Sequence, residues 1–344
     1  MAFHQHIQSL FLAGVRLSPS ARSAPSSSVE APPALAALIS TVASSHAEAD
    51  ARAIKAGDRY RSAFWALYLL SALAVLCAVM PMALGWDGRA HAMHAWAGFW
   101  AVLEVLVITV LGLVYRRGHR NDWQGQWLAS RTEAELAWYL PLVAPLVVPG
   151  SGQAPANWYA RLAGNTLQVP EGGAIESLCR RLETSTAAAL QTAWSDPVFV
   201  AQYVAWAVKQ FDLQRAYHQR VVWRSEALMH RIHKINAGLF GLTLAGALAH
   251  LVLHSMWLSF VTIFFPALGA SLHGALAQTE SYRLAASSRR LAGDLEKTMH
   301  RINEGLAQGD TAQIRRAIED GLVHILDEHR DWHMLVRPHH LPLG

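Results

Sequence analysis

The sequence is short of charge and nearly empty of lysine. Only 16% of its 344 residues are charged, where soluble domains carry about 25%, so the composition points away from an ordinary soluble domain. Of the 29 basic residues all but four are arginine. Two cysteines, Cys77 and Cys179, lie in stretches of different character and make no disulfide framework. Catalytic signatures are missing as well. There is no Gly-rich phosphate loop, no GxSxG, no HExxH and no CxxC, so no enzyme activity and no cofactor are expected. Glu176 and Glu183 beside Arg180 read as ordinary pairing on a helix face.

What the chain does have is long apolar runs. From Ser62 it reads SAFWALYLLSALAVLCAVMPMALGW, then a polar turn, then WAGFWAVLEVLVITVLGLVYRR to Arg117. Crossing a hydrocarbon core takes about 20 mostly apolar residues, and both runs, about 62–86 and 96–117, reach that length. Trp86, Trp96 and Trp100 gather near the turn, as expected of indoles at a membrane–water interface. A second pair of shorter runs, about 237–253 and 257–277, turns at His254, Ser255 and Met256. Arginine and lysine collar both pairs on their open side: Arg52, Lys55, Arg59 and Arg61, then Arg116, Arg117 and Arg120, and again Arg224, Arg231, Lys234, Arg283, Arg289 and Arg290. The turns hold only Arg89. The positive-inside rule therefore puts both termini and the middle region in the cytoplasm of a bacterial inner membrane.

The remaining segments fall around these pairs. Residues 1–33 begin with a short apolar run that lacks a basic start, so a cleaved signal peptide is not expected. They end in a Ser/Pro-rich flexible arm. Residues 34–140 form a first helix–span–span–helix unit, whose last part (119–139) reads as a helix continuing out of the membrane. Residues 141–196 form a connector in which Pro141, Pro145 and Pro149 forbid regular helix, followed by a short helix at 171–192. Ser195-Asp196-Pro197 is a helix start opening a second unit at 197–308. Gly309-Asp310 breaks it, and a last helix runs over about 311–329 before the tail, which closes residues 309–344. The expectation is an all-α integral membrane protein with four transmembrane helices in two hairpins, whose helices extend into a cytoplasmic helical bundle.

Several stretches carry a family likeness. ADARAIKAGDRYRSAFWALYLLSALAVL, the RTEAE of residues 131–135, WRSEALMHRIHKINAG and QTESYRLAASSRRL resemble the SLATT-type two-span membrane effectors of prokaryotic conflict systems. The tail Asp331-Trp332-His333-Met334-Leu335 is similar to that of bacterial proteins joining a TRPM-like SLOG sensor to a paired-hairpin membrane region. The likeness covers about residues 45–335. It implies a membrane effector of a nucleotide-signalling or antiviral defence system that oligomerises to form a pore or perturb the membrane. No sensor-like stretch precedes residue 45, so the resemblance assigns nucleotide sensing or signal production to a separate partner protein.

Candidate residues follow from the spans. Glu104 is the sole acid inside one, where a carboxylate either snorkels to the headgroups or lines an ion path. Thr109, His250 and His254 join it as pore candidates. His91 and His94 in the first turn are the nearest approach to a metal site, but no metal is expected. Gly241, Ala245 and Ala249 form a small-residue face for close helix packing, and Pro266 and Gly269 mark a kink in the fourth span. Phe199, Tyr203, Trp206, Leu213 and Tyr217 recur at alternating steps of four and three, a cytoplasmic seam through which copies would join. Trp123, Trp127, Trp138 and Trp206, at helical spacing with few interleaved cations, read as core of the cytoplasmic bundle rather than as a base-stacking surface, so no nucleic acid is expected. The partners expected are the lipid bilayer and further copies of the chain. Two other readings stay open: a membrane-anchored scaffold that positions the cytoplasmic helices for a partner protein, and a small-solute or ion transporter.

Overall fold

The computed structural model describes residues 2–13, 29–86, 94–146, 190, 193–336 and 341. Among these there is helix and no strand. In chain order the helices are α1 (Phe3–Phe11), α2 (Pro33–Ala83), α3 (His94–Arg120), α4 (Trp123–Val143) with a 3-10 turn at Ala144–Leu146, α5 (Pro197–His250), α6 (Met256–Gln278), α7 (Ser281–Gln308) and α8 (Thr311–Val336). The connector helix expected at 171–192 lies outside the described residues except for Leu190, which is helical and buried in the larger core.

Four helices are long and apolar enough to cross a membrane. Two of them extend far beyond any bilayer. At 1.5 Å per residue α2 and α5 reach about 77 and 81 Å. Their starts are readable in the sequence. Pro33 occupies the first turn of α2. At α5, Asp196 accepts a hydrogen bond from the Val198 N–H at 2.9 Å and Pro197 follows the cap, satisfying an amide that the helix itself leaves unpaired.

One order of elements occurs twice. In each case a long helix is followed by an apolar helix, a tight corner and a return helix that packs on the long one. The corners are Asn121–Asp122 and Thr279–Glu280, and Asp122 (φ 41°) and Glu280 (φ 48°) are the non-glycine residues with positive φ among the described residues. Asp122 caps α4 by accepting from the Gly125 N–H at 3.1 Å. The helix read as continuous over 119–139 is therefore broken at 121–122, and its second part shifts sideways onto α2. The pairing of α4 with α2 is antiparallel: Trp127 lies on Gly57, Glu133 pairs with Arg52, and the Ala134 carbonyl meets His46. Arg289 with Glu226, Ser288 with His218 and Glu296 with Arg215 give the same sense for α7 on α5. α8 then folds back along α7, with Arg301 against Asp320 and Arg290 against Asp331.

Two cores result. The larger unites the start of α2 (Leu35, Leu38, Val42), the end of α4 (Leu136, Leu140, Leu142), the start of α5 (Phe199, Tyr203, Phe211), α7 (Leu295, Ile302) and α8 (Ile318, Leu322, Leu326). Its pull carries α4 through Pro141, which is buried inside that helix, where the proline was expected to end it. The seam residues Phe199, Tyr203 and Trp206 are spent here. Phe199 and Tyr203 stack at 5.8 Å, and the Tyr203 hydroxyl donates to the Leu142 carbonyl. Leu213 is half-buried and Tyr217 is exposed, so the seam closes largely on helices of its own chain. Trp206 sits in this core as expected, whereas Trp138 is 41% exposed and meets the His46 ring at a tilt, 5.0 Å between centres.

The smaller core forms a neck at the root of the apolar helices. It joins Tyr60, Phe64 and Trp65 of α2, Leu228 and Ile232 of α5, and Leu272 and Leu276 of α6. Beyond it the apolar helices lie in a row ordered α3–α2–α6–α5. α2 packs on α3 and on α6, and α6 packs on α5. The ring of Tyr68 on α2 lies directly over Gly274 of α6. Burial confirms which members are inner: 33% of the apolar window of α2 is buried and 28% of that beginning at α6, against 6% in α3 and 11% in α5.

Candidate functional site

The outer faces of the row hold most of the residues the sequence singled out. Glu104 on α3 is half-buried and lies within electrostatic range of Cys77, which is itself buried in α2. Thr109 is exposed and its hydroxyl donates to the Val105 carbonyl of its own helix at 2.7 Å. His250 and His254 are exposed at the far end of α5, rings 6.3 Å apart. His91 and the side chain of His94 lie outside the described residues. Among the described residues no cluster of three or more His, Cys, Asp or Glu is placed to hold a metal ion.

The small-residue face divides. Gly241 and Ala245 point outward, and a Cβ on Gly241 would meet nothing within 4 Å. The close approach of α5 to α6 is made one residue on from Ala245, at Gly246, where a Cβ would come within 3.0 Å of Val261. Ala249 is half-buried. α6 passes through Pro266, and Gly269 faces Asn236 of α5, whose buried Oδ1 has no hydrogen-bond partner among the described residues. Among the described residues, Thr109, His250 and His254 are exposed on the two outer helices, while Glu104 is half-buried toward Cys77 of α2.

A cavity lies elsewhere, in the neck. It measures about 750 Å³ and is walled by α2, α4, α5, the end of α6, α7 and α8, with α1 across one side. Trp127 anchors it: it stacks on Tyr60 at 5.6 Å, meets Trp332 edge-on at 5.1 Å, and carries the Arg61 guanidinium 5.2 Å from its ring centre. Arg131 lines the cavity too, 3.4 Å from Asp50 and ion-paired with Glu135 one turn along α4. Burial works against its charge, but Glu135 leads a set of neighbours that hold it protonated.

The groups around Arg131 are tuned by the same enclosure. Burial, then Glu135 and Asp331, pushes the Glu328 carboxyl up to about 7. Burial, then Arg131, pulls His218 down to about 4 and His329 to about 3. Both imidazoles are thus neutral hydrogen-bonding groups, His218 to Ser288 at 3.1 Å and His329 to Thr132 at 3.1 Å. Tyr217 is 44% exposed as a residue but lines the cavity, and burial there raises its hydroxyl; burial raises that of Tyr139 further. A cavity of this size with aromatic walls and a few convergent polar groups has the character of a ligand site.

Sequence reasoning missed this cavity as a unit. Its local traces were the RTEAE run and Tyr217, each noticed for another reason. The chain matches no known family model, no curated protein and no solved structure.

Proposed function

We propose that this chain is an integral membrane effector of a prokaryotic conflict or nucleotide-signalling system, acting as an assembly of copies in the inner membrane. α2 with α3, and α5 with α6, cross the bilayer as two hairpins. The neck and the charged helices stand in the cytoplasm with both termini, on the side where arginine crowds. Copies join through the outer helices and open a pore or perturb the bilayer, and a signal supplied through a separate protein rearranges the spans.

The row of four apolar helices carries this reading. The two outermost helices present Val102, Val105, Phe240 and Leu248, each more than half exposed. Lipid solvates such surfaces, but close packing in a membrane is won by small residues and polar contacts. Gly241 and Ala245 on one edge and Glu104 on the other offer both.

Reconstitution into liposomes tests it. Ion flux should rise more steeply than linearly with protein density and fall in Glu104→Ala. Cysteines introduced singly at Val105 and Leu244, in a chain freed of Cys77 and Cys179, should cross-link copies. A protein that stays monomeric and leaves both liposomes and cells tight under induction overturns the proposal. A second reading, a scaffold that only anchors the cytoplasmic helices, is supported by the separate core those helices possess. It predicts that an unrelated membrane anchor restores function.

A further inference from the structure

We propose that the mouth of the neck cavity is a binding site for a phosphate-bearing anion, held by Arg61, Arg220 and Arg224 beneath α1. The inference goes beyond the effector reading and holds whether or not the assembly conducts.

The charges that line the cavity lead there. Arg131 is matched by Asp50 and Glu135, Glu280 is paired with Arg283 at 3.6 Å, and Glu328, pushed up to about 7 by burial and its acidic neighbours, has no ion pair among the described residues. Arg61 has one carboxylate, Asp58, at 3.4 Å. Arg224 has a neutral partner, the Gln8 side-chain oxygen, at 2.7 Å. Arg220 lines the same cavity and has no ion pair among the described residues. Arg61 and Arg224 come from different long helices. After burial, which acts most, and against the support of Asp58 and Tyr217, Arg224 still lowers the pKa of Arg61. Two guanidiniums are thus held in each other's field with one carboxylate between them.

What covers them sharpens the point. α1 contains no acidic residue. It lies on α2 and α5 and meets the arginines and their neighbours with amides and a neutral imidazole. Gln5 bonds Asp58 at 3.4 Å, Gln8 bonds Arg224, and His4, 3% exposed, sits on Ser62 with its pKa lowered to about 4, chiefly by burial and then by Arg61. Among the described residues, α1 covers Arg61 and Arg224 without adding a carboxylate to them. A bound anion supplies the negative charge.

The donor type selects the anion. Guanidinium forks match the oxygens of a phosphate two at a time and stay charged at any physiological pH. Tyr217, Trp223 and Gln214 extend the lining beyond the arginines. Two sources share that chemistry. Arg61 adjoins Ser62, where the apolar run begins, so the headgroup of an anionic lipid reaches the mouth. A soluble phosphate compound enters from the aqueous side.

Thermal unfolding of the full chain in nanodiscs separates the sources. One arm uses phosphatidylcholine nanodiscs titrated with pyrophosphate. The other replaces a third of the phosphatidylcholine with phosphatidylglycerol and adds no soluble phosphate. One arm should raise the unfolding midpoint. Arg224→Gln and Arg220→Gln should each weaken that response about tenfold, the loss of one charge-assisted contact, while Arg116→Gln on the exposed collar leaves it intact. Both variants sit at accessible positions, and their midpoints without ligand report folding separately. A response in the pyrophosphate arm assigns a soluble ligand, and one in the lipid arm assigns a headgroup. No shift in either arm, or equal losses in all three variants as diffuse attraction would give, overturns the proposal.

Discussion

Replacing Glu328 by glutamine should stabilise the protein, and by more as the pH rises. Glu328 lines the neck cavity and has no hydrogen-bond or ion-pair partner among the described residues, while Glu135 and Asp331 repel its charge. Burial and these neighbours raise its carboxyl from 4.5 to about 7. Between those two values the folded chain holds a proton that the unfolded chain has released, so stability falls with rising pH across that window and stays low above it. At about 1.4 kcal/mol per tenfold change in acidity, the full cost above neutral pH is about 3 kcal/mol. Residual water in the cavity makes that a ceiling, and about 1–3 kcal/mol is the working range. Glutamine keeps the shape and never ionises. The assay is the unfolding midpoint of both proteins in detergent from about pH 5 to about pH 8. The gap should be small at the acid end and open toward the alkaline end. A gap that does not change with pH would refute the account of the cavity as a desolvated, acid-crowded enclosure.

Three further outcomes follow from the packing. The neutral histidines act in the opposite direction to Glu328: with His218 at about 4 and His329 at about 3 in the folded chain, stability should fall as pH drops below about 6.5, where the unfolded chain takes up protons first. His329→Gln should flatten that acid limb in the same unfolding series. Gly274→Leu drives a side chain into the Tyr68 ring that joins the two halves of the row, which should cost about 1–3 kcal/mol. Adding Tyr68→Ala should recover part of it, and a Gly274→Leu protein as stable as the parent would show that this contact does not hold α2 to α6. Tyr203→Phe removes a fully buried hydroxyl that serves the Leu142 carbonyl and should lower stability by about 1–3 kcal/mol in chemical denaturation.

The features legible in the sequence are those set by neighbours along the chain. The apolar runs, the Asp196-Pro197 start and the Gly309 stop (φ 67°) each depend on a few consecutive residues. The corners at Asp122 and Glu280 were not legible. A left-handed residue there is an acid rather than the glycine that usually marks one, and nothing else in HRNDWQGQ or AQTESYRL breaks helical periodicity. Periodicity also shows that α5 has an apolar stripe without naming what covers it, so a seam suited to partner chains is filled by α4, α7 and α8. The same limit applies to the α5–α6 contact, where Gly241 and Gly246 look alike as letters and only the crossing point selects Gly246. The neck cavity was the least legible of all, because its wall is drawn from seven helices and the charged pairs visible in sequence, Arg131 with Glu135 and Arg220 with Arg224, each lie on one helix and do not announce what faces them.

The long helices decide how the neck and the apolar row are coupled. α2 is one unbroken rod held in the large core at Leu38, passing the cavity at Tyr60 and ending at Ala83. Along its axis the cavity lies about 33 Å from that anchor and the tip about 68 Å. A rod pivoting in the large core therefore moves at its tip about twice as far as at the cavity wall. α5 enters the same cavity and ends the row at the opposite side, so any change in the width of the neck reaches both members through continuous helix. α6 resists it, since its contact with α2 through Tyr68 and Gly274 ties the two units just past the neck. An occupant or a change of charge in the cavity thus works against that contact, and the row widens or holds according to which is stronger.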